Sequence, residues 1–95
     1  MMKAFSFPKD FLFGSATAST QIEGGDKNCN WYHWGEQGKI KNNESCFTAC
    51  DHYNRVEEDT QLLKDAKHDI YRFSIEWSRI QPKKDEWSQE GIDHY

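Results

Sequence analysis

The chain has 95 residues and a mass of 11.2 kDa, room for one small domain at most. Twelve basic against 16 acidic side chains leave a net charge of −4, which argues against a nucleic-acid partner, whose usual mark is a basic stripe. No apolar run approaches the roughly 20 residues of a membrane span, and Met1 to Asp10 lacks the apolar core of a secretory signal, so a cytoplasmic protein without a membrane partner is expected.

Apolar content is low. Only 36% of residues are hydrophobic and the mean hydropathy is −1.01. Leu, Ile, Val and Phe together make up about 17%, a level at which a highly charged chain would be disordered. Here the charge is modest and aromatics reach 15%. The expectation is a chain that folds but buries little of itself. Three cysteines, Cys29, Cys46 and Cys50, are an odd number and read as reduced thiols. Cys46, Cys50 and His52 would offer zinc three ligands at loose spacing, whereas structural zinc usually takes four with tight CxxC pairs. Ordinary thiols are the better reading, and no metal is expected.

Phe11 to Ser19 reads as a strand, bulky at its start and small-residued from Gly14 onward, as where backbones approach closely. Gln21 to Cys50 reads as a long loop rich in Gly and Asn, interrupted by Trp31-Tyr32-His33-Trp34. Loops this long are usually functional or disordered, and the aromatic cluster points to a packed, functional one.

Asp51 to Lys67 has the pattern of an amphipathic helix capped by Asp51. Glu57, Glu58 and Asp59 stand near its start as a solvated face, and Lys64 and Lys67 near its end, matching the helix dipole. Ile70 to Trp77 reads as a second strand, with Tyr71, Phe73, Ile75 and Trp77 on the helix-facing side and Arg72, Ser74 and Glu76 on the other. Ser88 reads as the cap of a further helix from Gln89 to Tyr95. Strand, loop, helix, strand and helix start is the order of a parallel α/β protein, and two strands alone do not make a stable parallel sheet.

Chemistry concentrates at two places. Gln21-Ile22-Glu23-Gly24-Gly25 follows the first strand, at the end where parallel α/β folds bind ligands. An amide there can donate to and accept from sugar hydroxyls; the same residues also make an ordinary turn. Arg72 either lays its stem over the sheet or points inward, where it needs a carboxylate. Glu23 and Glu76 are candidates, neither obviously placed. No carboxylate pair in a recognisable acid/base setting occurs, nor does a phosphate-cradling loop, HExxH or GxSxG.

The run from Phe7-Pro8-Lys9-Asp10-Phe11-Leu12-Phe13-Gly14 through Thr20-Gln21-Ile22-Glu23-Gly24 resembles the start of family 1 glycoside hydrolases, the β-glucosidase and 6-phospho-β-glycosidase family. Trp31, Gly38-Lys39-Ile40, Cys50-Asp51-His52-Tyr53 and Tyr71-Arg72-Phe73-Ser74-Ile75-Glu76-Trp77-Ser78-Arg79-Ile80 continue the likeness. It implies a (β/α)8 TIM barrel, of which residues 1–95 would be the N-terminal part: strand 1, long loop, helix 1, strand 2 and the start of helix 2, ending before strand 3. It also implies a retaining β-glycosidase acting on a β-glycoside without cofactor. The family's acid/base and nucleophile glutamates stand in Thr-x-Asn-Glu-Pro and Glu-Asn-Gly contexts, and neither occurs in this chain. By resemblance, Gln21 binds hydroxyls of the non-reducing sugar and Arg72 supports the nucleophile. The family's glycine before the second strand is replaced within Lys67-His68-Asp69, and the Asp after the loop tryptophan is Tyr32. The competing expectation is a free-standing sugar-binding module or split-enzyme subunit that self-associates or pairs with a complementary fragment through exposed edges.

Overall fold

The computed structural model describes residues 3–95. At its centre are two parallel strands, β1 (Gly14–Ala16) and β2 (Ile70–Arg72), paired Gly14 to Ile70, Ser15 to Tyr71 and Ala16 to Arg72. Between them run α1 (Ser19–Ile22), α2 (Asn30–Glu36), a short 3-10 turn (Lys41–Asn43) and α3 (Val56–Asp65); α4 (Trp77–Ile80) and α5 (Gln89–His94) follow β2. The parallel α/β reading therefore holds for this pair. Gly14 lets it form: a Cβ there would lie 2.0 Å from the Ile70 carbonyl oxygen.

Both strands are shorter than their sequence patterns. Phe11 and Phe13 precede β1 and cluster with Phe7, at ring-centroid distances of 4.6 Å and 4.9 Å. Beyond Arg72 the ladder gives way to side-chain bonding: the Ser19 amide donates to the Ser74 hydroxyl at 2.7 Å. Trp77, expected on the strand, opens α4 instead. The supposed loop holds helices, and Trp31 and Trp34 ride on α2 with about half their surface exposed.

Asp51 does not cap α3. It takes φ 54° in the turn before it, and Arg55 occupies the cap without a side-chain bond. Asp59 is not merely solvated; its Oδ2 lies 2.7 Å from His52 Nδ1, tying the helix to that turn. One local expectation is met. Ser88 Oγ accepts from the Gly91 amide at 3.1 Å and caps α5. Lys67 takes φ 57° after α3, the left-handed turn that usually falls to glycine.

The interior is thin. Cys29 and Ile80 are the buried apolar residues among those described, while Phe5, Leu62, Ile70, Phe73, Ile75, Trp77 and Trp87 are at least half exposed. The accessible surface is 7998 Å², where about 5,700 Å² is usual for this mass. The radius of gyration is 17.4 Å, against about 12 Å for a compact domain of this length. The chain thus carries apolar surface that it does not cover itself. No described helix is long and apolar enough to cross a membrane.

Candidate functional site

The parallel pair sends its carboxyl ends in one direction. Arg72 ends β2, and its carbonyl accepts from the Thr17 amide at 3.0 Å, just past the end of β1. Gln21 follows on α1. Both predicted site residues therefore lie on the ligand-binding side of a parallel sheet. Both are exposed, and neither side chain has a hydrogen-bonding or ionic partner among the described residues.

Arg72 sits in register with Ala16, on the face opposite Tyr71. Tyr71 and Phe73 line a cavity of about 230 Å³ facing Val56 and Thr60 of α3 and His94 of α5. That cavity belongs to the layer between strands and helices, so Arg72 points away from it, as the alternation predicts.

Neither carboxylate considered for Arg72 is free to serve it. Glu23 is 4% exposed and faces Arg79, whose Nε lies 3.2 Å from Oε2. That contact is an ion pair lacking hydrogen-bond alignment. Arg79 Nη2 also donates to the Gly24 carbonyl at 2.6 Å, and its guanidinium stands 3.7 Å from the centre of the Tyr53 ring. The Tyr95 hydroxyl lies 2.6 Å and 2.7 Å from the two oxygens of Glu23. Burial and this carboxylate push the Tyr95 phenol well above its usual range, so it stays protonated and donates. Only about 10 Å³ is open beside the pair, no more than a single water needs. Glu23 is thus a structural carboxylate.

Glu76 is engaged as well. Its Oε2 accepts from the hydroxyls of Ser19 at 3.1 Å and Thr20 at 2.9 Å, and Ser78 Oγ lies 3.0 Å from Oε1 and 2.5 Å from Asp26 Oδ2. The Glu76 amide donates to the Tyr95 oxygen at 3.1 Å. Cys50 and His52 amides donate to the Ile22 carbonyl at 3.2 Å and 2.9 Å, and the Tyr53 amide to that of Glu23 at 3.2 Å. The Cys50-to-Tyr53 run thus braces the exit of α1. Gly24 completes the turn at φ +71°, where a Cβ would meet the Thr48 carbonyl at 2.3 Å. Sequence reasoning missed this network. Its one signal was two glutamates and an arginine within segments otherwise rich in turn and strand formers.

A parallel α/β segment with an amide and a guanidinium free at its carboxyl end is the kind of structure that holds a polar ligand. The comparisons make the class specific. The family model for glycosyl hydrolase family 1 matches residues 3–95. β-Glucosidase A of Acetivibrio thermocellus is 42% identical over 101 residues, covering 99% of this chain and 22% of the relative. An AHE enzyme from Alicyclobacillus herbarius superimposes with a TM-score of 0.87 at 42% identity, over 99% of this chain and 23% of that one. The β-glucosidase of Thermotoga maritima, solved with castanospermine, gives a TM-score of 0.82 at 41% identity, over 94% and 22%. The chain belongs to glycosyl hydrolase family 1. It spans about a fifth of the length of the curated relatives that it matches.

Proposed function

We propose that this chain is the N-terminal portion of a retaining β-glycosidase that hydrolyses terminal β-linked sugars, and that β1 and β2 are the first two strands of its (β/α)8 barrel. The observation that carries the reading is the uncovered apolar surface on a segment with family 1 sequence throughout. A parallel sheet needs both faces covered, and the rest of a barrel would cover them. Relatives named β-glucosidase point to a β-glucoside as substrate.

In this reading Gln21 receives the non-reducing sugar. Its amide can donate to one hydroxyl and accept from its neighbour. Arg72 faces the nucleophilic carboxylate and favours its ionised form, as an opposite charge nearby does. Double displacement needs two carboxyls about 5–5.5 Å apart, one as nucleophile and one as acid and then base; water completes the hydrolysis and no cofactor takes part. Glu23 and Glu76 are committed to structural partners, so both catalytic carboxyls belong to other parts of the barrel, and the 95 residues alone are inactive. Free Cys29, Cys46 and Cys50 support a cytoplasmic setting.

The test is hydrolysis of aryl β-glucosides and aryl 6-phospho-β-glucosides by the full-length polypeptide, with product anomers followed by NMR. Turnover with retained configuration is expected on one of the two. Inversion, or no turnover on either, overturns the reading.

A further inference from the structure

We propose that Glu76 is a positioning residue for Gln21, setting the sugar-binding amide by holding the first turn of α1 from the segment that follows β2; this rests on the reading of Gln21 given above. α1 is a single turn, too short to be stable by itself. Its placement must come from what grips it. At its start, the two residues preceding Gln21 both donate hydroxyls to one oxygen of Glu76, Ser19 at 3.1 Å and Thr20 at 2.9 Å. Hydrogen bonds to an ionised acceptor are about twice as strong as neutral ones. At its exit, the second residue after Gln21 is Glu23, fixed by Arg79 and Tyr95.

Tyr95 joins the two grips. Its hydroxyl donates to Glu23 and accepts from the Glu76 amide at 3.1 Å. Glu76 therefore reaches the start of α1 through its side chain and the exit through its backbone. Gln21 itself is exposed without a partner among the described residues. It is a free reporter on a turn held at both ends. Binding groups misplaced by about 1 Å can cost a hundredfold in rate, so the grip bears on the sugar although Glu76 itself does not touch it.

The test is a double-mutant cycle on kcat/KM for an aryl β-glucoside in the full-length enzyme, with Glu76→Gln, Gln21→Ala and the pair. A carboxamide can still accept at one atom but loses the charge and the second acceptor. Glu76→Gln is expected to lower kcat/KM about tenfold alone and less than twofold in the Gln21→Ala background, because it acts through that amide. Equal losses in both backgrounds would mean a general structural role and overturn the proposal. An unaffected Glu76→Gln overturns it too, while a loss in Gln21→Ala would leave the Gln21 reading standing. An unaffected Gln21→Ala removes that reading, and the proposal with it. Should Glu76→Gln fail to fold, Thr20→Ala replaces it in the cycle, with Thr20→Ser expected to retain the wild-type rate; a Thr20→Ser loss matching that of Thr20→Ala overturns the proposal.

Discussion

Arg79 Nε lies 3.2 Å from Glu23 Oε2, and this ion pair joins the segment after β1 to the segment after β2. Removing one member of a buried pair strands the other charge and costs about 3–5 kcal/mol. Glu23→Gln should therefore lower the unfolding midpoint of the full-length polypeptide markedly, by thermal melt. Glu23→Gln combined with Arg79→Met should lose less than the two single changes added. Strict additivity would show that the two groups do not interact.

Gly14 has no room for a side chain, since a Cβ would stand 2.0 Å from the Ile70 carbonyl oxygen. Gly14→Ala must push the strands apart, and overpacking of this kind costs about 1–3 kcal/mol. Its denaturant midpoint should fall by a corresponding amount. An unchanged midpoint would mean that β1 and β2 do not pair as described.

Lys67 occupies the left-handed turn after α3 at φ 57°. Glycine adopts that conformation without the clash of a Cβ, and Lys67→Gly should stabilise the protein by about 1 kcal/mol. A higher melting temperature confirms the strain; a lower one shows that the lysine side chain contributes more than its backbone costs.

His94 links stability to pH. Its ring stacks on Tyr53 with centroids 3.9 Å apart. Burial holds its pKa below the ordinary value, Arg79 and His52 act in the same direction, and Glu23 and Glu90 oppose them. Between the unfolded and folded values the unfolded state binds more protons, so stability rises with pH there. The contribution is fully present above about 6.5 and is lost as pH falls through the lowered folded value. Melting temperature should drop on acidification through this window, and His94→Gln should flatten the drop. An identical slope in the variant would assign the effect to other groups.

Local chemistry was the legible part of the fold. The Ser88 cap and the parallel strand pair follow from patterns a few residues long. Helix α2 was hidden because its Asn and Gly neighbours signal turns, and α4 because Trp77 continues the alternation of β2. Asp51 had the right identity for a cap but stands in a left-handed turn several residues early. Gln21 and Arg72 are the site residues that motif resemblance leads one to expect, and both lie at the carboxyl end of the sheet. The network of Glu23, Arg79, Tyr95 and Glu76 was not legible, because it assembles from three separated segments whose proximity only the fold supplies.

The most direct test of the proposed activity is kcat/KM of the full-length polypeptide carrying Gln21→Ala, on an aryl β-glucoside. A fall of at least tenfold, corresponding to loss of about 1.4 kcal/mol of transition-state stabilisation, is predicted if the carboxyl end of β1 holds the sugar. A value within twofold of wild type would contradict it.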